Sequence, residues 1–66
     1  MNEIEVHRTI LYHSWSQTET TEYKVNGELV QGFVSLDGLL YVLENEFKFN
    51  NIIIKYFENG IYRKEV

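Results

Sequence analysis

Apolar residues recur at every second position near the start of the chain, at Ile4, Val6, Ile10 and Tyr12. That period predicts a strand with Glu3, Glu5, His7, Thr9 and His13 on its other face. Arg8 interrupts the apolar row; a long stem lying along the sheet with its head in water accommodates it. Ser14 to Thr18 is polar apart from Trp15 and reads as a loop.

Two Asn-Gly pairs then punctuate β-prone runs. Thr20 to Val25 turns at Asn26-Gly27 into Glu28 to Val34, and Ile52 to Glu58 turns at Asn59-Gly60 into Ile61 to Val66. Type I′ turns need positive φ at both central residues, so Asn-Gly between such runs is a strong hairpin signal. A three-residue loop at Val25-Asn26-Gly27 would set Lys24 opposite Glu28, whereas a two-residue loop would set it opposite Leu29. One residue of slip exchanges the faces, which leaves the faces of both hairpins open.

Between the hairpins, Leu36, Leu39, Leu40, Leu43 and Phe47 fall at i, i+3, i+4, i+7 and i+11, a single helical stripe. Ser35 is placed to cap the first turn, Asp37 sits where the helix dipole favours an anion, and Lys48 lies near the other end. Asn50 and Asn51 are suitable stop residues. The competing reading makes Asp37-Gly38 a third hairpin turn, and Gly38 in the first turn counts against the helix. The order strand, hairpin, helix, hairpin implies an α+β fold: a five-stranded, mainly antiparallel sheet with one helix on a face. Without the helix, a small all-β barrel replaces it.

Sixty-six residues make one small domain, residues 1–66. Its core supplies ~3–5 kcal/mol unless it is well packed or shared with another chain. No apolar run approaches the ~18 residues that span a bilayer, and no basic-then-apolar leader is visible. Cysteine is absent, which fits a reducing cytoplasm. Alanine and proline are also absent, while Phe, Tyr, Met, Ile, Asn and Lys, residues of AT-rich codons, are abundant. This bias points to an AT-rich bacterium or one of its phages.

The search for chemistry returns little. Glu3, Glu5 and His7 share a strand face, but three residues along a strand span too far to converge on one ion, and His13 is further still. Ser14 follows His13 directly, on the opposite face of any strand. Glu44 and Glu46 lie two apart, which on a helix does not bring carboxylates together. The glycines form no phosphate-cradling loop. The expectation is a chain without enzymatic activity, cofactor or metal.

Charge separates the remaining classes. The formal net charge is −4. Acids dominate the first two-thirds, whereas the final hairpin mixes Lys55, Arg63 and Lys64 with Tyr56, Phe57 and Tyr62, a set able to hold a single nucleic-acid strand. The overall negative charge opposes phosphate, so this is the weaker alternative. If Glu3 and Glu5 lie near the hairpin acids, they form a negative surface for a basic protein. Trp15, flanked by Tyr12 and His13, is the most distinctive local feature. The tendency of large aromatics to be buried favours a lid on the small core; the other use is an interface anchor. The expected function is protein binding, by another protein or by a twin copy, through Tyr12, Trp15, Glu19 and Glu22. An inhibitor or modulator of a larger bacterial protein, of the kind phages encode, is its concrete form.

Overall fold

The computed structural model describes residues 1–66 and shows a five-stranded open sheet with one helix. The elements are β1 (Asn2–Tyr12), β2 (Gln17–Val25), β3 (Glu28–Val30), α1 (Leu36–Asn45), β4 (Ile52–Glu58) and β5 (Ile61–Glu65). Strand order is β3-β2-β1-β4-β5. The sheet is mixed: β1–β2, β2–β3 and β4–β5 are antiparallel, but β1 and β4 run parallel. α1 lies between β3 and β4 in the chain, and returning β4 beside β1 in parallel requires such a crossover. The sheet ends on β3 and β5, so it does not close into a barrel.

Both Asn-Gly turns are two-residue loops, with φ of 49° and 87° at Asn26-Gly27 and 48° and 81° at Asn59-Gly60. Lys24 therefore faces Leu29, which settles the register. Three boundaries differ from expectation. Gln17 and Thr18 belong to β2 rather than to a loop, because β1 and β2 form one long hairpin closed by His13–Ser16. β3 stops at Val30 instead of Val34, just before Gly32 takes a φ of 90°. The helix ends at Asn45, short of Lys48. Lys48 itself is left-handed (φ 59°), and Phe47 and Phe49 donate backbone N–H groups to the carbonyls of Val42 and Leu43.

Ser35 caps α1 as its position predicts: its backbone is extended and its hydroxyl accepts from the Gly38 N–H at 3.2 Å. The helix lies over one sheet face, and the core is Ile4, Val6, Tyr23, Leu39 and Leu43, with Ile4 and Leu39 0% and 1% exposed. Ile4 and Val6 come from the alternating row of β1, and Leu39 and Leu43 from the helical stripe. Phe47, the last member of that stripe, is 64% exposed because the helix unwinds before reaching it. No helix is long and apolar enough to cross a membrane.

Candidate protein-interaction surface

The cover over the sheet stops between Val6 and Arg8. Val6 is buried, whereas Arg8 on the same face is exposed. β4 pairs with β1 only as far as Arg8, and β3 pairs only with the last three residues of β2. Beyond those limits Thr9–Tyr12 and Gln17–Thr20 continue as a two-stranded arm, while Thr21 and Glu22 pair with Arg8 and His7, which β4 still flanks. The root of the arm is pinned by Asn59, whose N–H donates to the Arg8 carbonyl and whose Oδ1 accepts from the Ile10 N–H, both at 2.8 Å. Asn26 does the same at the opposite end of β1, exchanging two hydrogen bonds with the Glu3 backbone at 2.8 and 2.9 Å. The turn asparagines thus register β1 against both hairpins, a role that their turn signal alone does not reveal.

At the tip, the His13 N–H donates to the Ser16 carbonyl at 2.8 Å, closing the turn, and Trp15 is 92% exposed. Trp15 is therefore not a lid: the arm carries it away from the core, and no apolar surface lies beneath it. Tyr12 is 74% exposed and Leu11 is also exposed. Of the four residues expected to form the contact, Tyr12 and Glu19 lie on the helix-bearing face and Trp15 at the tip, but Glu22 lies on the opposite face, across from His7. The sheet does not bring Glu22 together with the other three.

Three of the ten acids, Glu3, Glu5 and Glu19, each have a basic or imidazole partner. Glu19 accepts from Arg8 at 2.8 and 2.9 Å, Glu5 lies 2.7 Å from His7 Nε2, and Glu3 meets Lys55 at 2.5 Å. Hydrogen bonding to Arg8 lowers the Glu19 pKa below the usual carboxylate range, and the same pair raises that of Arg8. Hydrogen bonding to Glu3 likewise raises the Lys55 pKa. The Arg8–Glu19 pair is solvent-exposed and the other two are partly so, and such pairs hold side chains in place more than they stabilise the fold.

Of the three cations expected to hold a nucleic-acid strand, Arg63 and Lys64 line one pocket with Arg8, Tyr56 and Phe57, and Lys55 stands apart from them. Lys55 lies with Glu3 on the face opposite the helix, whereas Lys64 stands over the Tyr56 ring, 5.1 Å from its centroid, on the other. A register shift between Tyr56 and Phe57 separates them, with Arg63 at the irregularity. One aromatic grouping escapes prediction. His7 stacks on Phe57 at 4.4 Å, and Phe57 meets Tyr62 edge-on at 5.6 Å, forming a row across β1, β4 and β5 on the open face. Its signal is the parallel register of β1 and β4, which is invisible until the two strands are known to be neighbours. The His13 ring lies 3.4 Å from the Thr18 hydroxyl rather than beside Ser14, and no three His, Asp or Glu side chains gather as metal ligands.

At the other end of the molecule, on the helix side, an open groove of about 660 Å³ runs between α1 and the β2–β3 turn. Phe33, Val42, Phe47 and Phe49 line it with the edge of the core, and Asn26, Glu28 and Gln31 form its polar lip. No family model, curated protein or solved structure matches the chain.

Proposed function

We propose that this chain is a non-enzymatic protein-binding domain that engages its partner through the β1–β2 arm. The observation that supports this reading is the 92% exposure of Trp15 at the tip of a ribbon that also presents Tyr12 and Leu11. Exposing a large aromatic to water forgoes the free energy of burying it, and Trp and Tyr are the side chains that most often dominate interfaces. Arg8 and Glu19 stiffen the arm, and Asn59 anchors its root, so the anchor is presented on a braced support. On the arm itself Glu19 is paired with Arg8, which supports the aromatic side chains as the contact. A cytoplasmic inhibitor or modulator of a larger bacterial protein, such as phages encode, is the setting that fits the size and residue usage.

A tagged pull-down from bacterial lysate, washed at low and then high salt, tests this reading. The expected outcome is one salt-resistant protein in near-stoichiometric amount, lost with Trp15→Ala while the variant keeps the folded circular dichroism spectrum of the parent. Equal capture by parent and variant would overturn the role of Trp15. Nucleic acid released at high salt would favour the alternative binder.

A further inference from the structure

The molecule is too open for its mass. A compact monomer of 7.9 kDa exposes about 4,400 Å², whereas this chain exposes 5018 Å², an excess of roughly 600 Å². Its radius of gyration is 13.1 Å against about 11 Å for a compact domain of this length. The excess approaches the ~800 Å² that each partner contributes to a standard interface.

Two features account for it, and they lie at opposite ends of a body 45 Å long. One end is thin: the two-stranded arm, with Tyr12 on the helix-bearing face and Trp15 at the tip. The other is thick: the helix over the sheet, with the apolar groove beside it. A ribbon of two strands is at best marginally stable in water. An open apolar groove of this size equally lacks something to cover it. Thin and thick ends on one chain form a step, and two such steps face to face and antiparallel place each arm against the other copy's helix layer.

We propose that a second copy of this chain is the occupant: the arm of each protomer seats Trp15 and Tyr12 in the groove of the other, giving a closed two-fold dimer. This names the partner of the arm and rests on the protein-binding reading above. The groove is lined by Phe33, Val42, Phe47 and Phe49, which supply ring and aliphatic contacts for the indole. Its lip supplies acceptors, at Glu28 and Gln31, for the indole N–H, a group that buried tryptophans usually satisfy. The same arm-to-groove contact made with a third copy would build an open chain; reciprocity closes it, with both contacts formed in one association.

The test uses the full chain and its single tryptophan. Light scattering should give about twice 7.9 kDa, and Trp15 emission should shift from that of a water-exposed indole to that of a buried one as concentration rises. Trp15→Ala and Phe47→Glu, both at exposed positions, should each leave a folded monomer. Mixed in equal amounts they should associate again, because the first keeps an intact groove and the second an intact arm. A monomeric mass with unshifted emission up to about 1 mM, the weak end of specific binding, would overturn the dimer. So would an open polymer, or a Phe47→Glu variant that still dimerises, which would mean an arm-to-arm contact. If a monomer still captures another protein through Trp15, the protein-binding reading survives and the second copy does not. If a folded Trp15→Ala variant dimerises and binds like the parent, both fail.

Discussion

β1 passes through two environments in eleven residues. At its beginning, Ile4 and Val6 are sealed beneath Leu39 and Leu43; at its end, Ile10 is only half-buried and Leu11 and Tyr12 are exposed. Apolar residues recur on the helix-bearing face in both halves, at Ile4 and Val6 and again at Ile10 and Tyr12 past Arg8, so an apolar row alone does not decide whether a strand is buried. What decides is the neighbour: α1 covers the first half, and the cover ends before Arg8. Burial in one half holds the fold together, whereas exposure in the other leaves a surface that gains from being covered by another protein.

The sharpest way to test this contrast is to make one deletion in both halves. Leu39→Ala removes a side chain that is 1% exposed and should cost about 2–5 kcal/mol. Against a total of ~3–5 kcal/mol, that leaves much of the population unfolded at room temperature. Leu11→Ala removes the same atoms from the arm and should change stability by no more than about 0.5 kcal/mol. Urea titrations followed by circular dichroism give both values. Equal losses would mean that the arm belongs to the core.

Ser35→Ala is a smaller break on the covered side. It deletes the hydroxyl that accepts from the Gly38 N–H, and loss of such a cap costs about 1 kcal/mol. In a domain of this size that lowers the melting temperature by roughly 4–8 °C. The cost matters because the far end of α1 carries Glu44 and Glu46 and no cation in its last turn, the wrong sign for the dipole. A loss no larger than that of Leu11→Ala would show that packing, not capping, sets where the helix starts.

The covered half is also the part most legible in the sequence. The stripe from Leu36 to Leu43, the Ser35 cap and the two Asn-Gly turns act within a few residues, and each lies where local spacing predicts. The parallel pairing of β1 and β4 is not local. Ile4 and Ile54 are fifty residues apart, and nothing in either strand announces the other. The stacking of His7 on Phe57 depends on that pairing, whereas the separation of Lys55 from Lys64 depends on the register shift between Tyr56 and Phe57, which no turn residue marks. Trp15 was ambiguous for another reason: a lid and an anchor need the same residue in the same polar loop. Only the reach of the β1–β2 hairpin, in which β2 starts at Gln17 rather than Thr20, distinguishes them.

The smallest effect concerns the arm alone and follows from its one ion pair. Arg8 holds the Glu19 carboxyl below its ordinary pKa. A carboxylate whose pKa is lowered on folding contributes stability that is fully present above its unfolded value and is lost as pH falls through the folded one. Arg8, whose own pKa is raised, stays charged throughout the accessible range and adds no titration there. Acidification below the usual carboxylate range should therefore loosen the arm before the core. Backbone resonances of Thr9–Tyr12 and Gln17–Thr21 should move and broaden with the Glu19 titration, while those of Ile4, Val6 and Leu39 hold. Glu19→Gln should abolish that local transition and leave the global melting temperature almost unchanged, as expected for an exposed pair. If arm and core instead loosen together in the parent, the two halves of β1 form a single cooperative unit, and the arm is not an independent element free to move onto a partner.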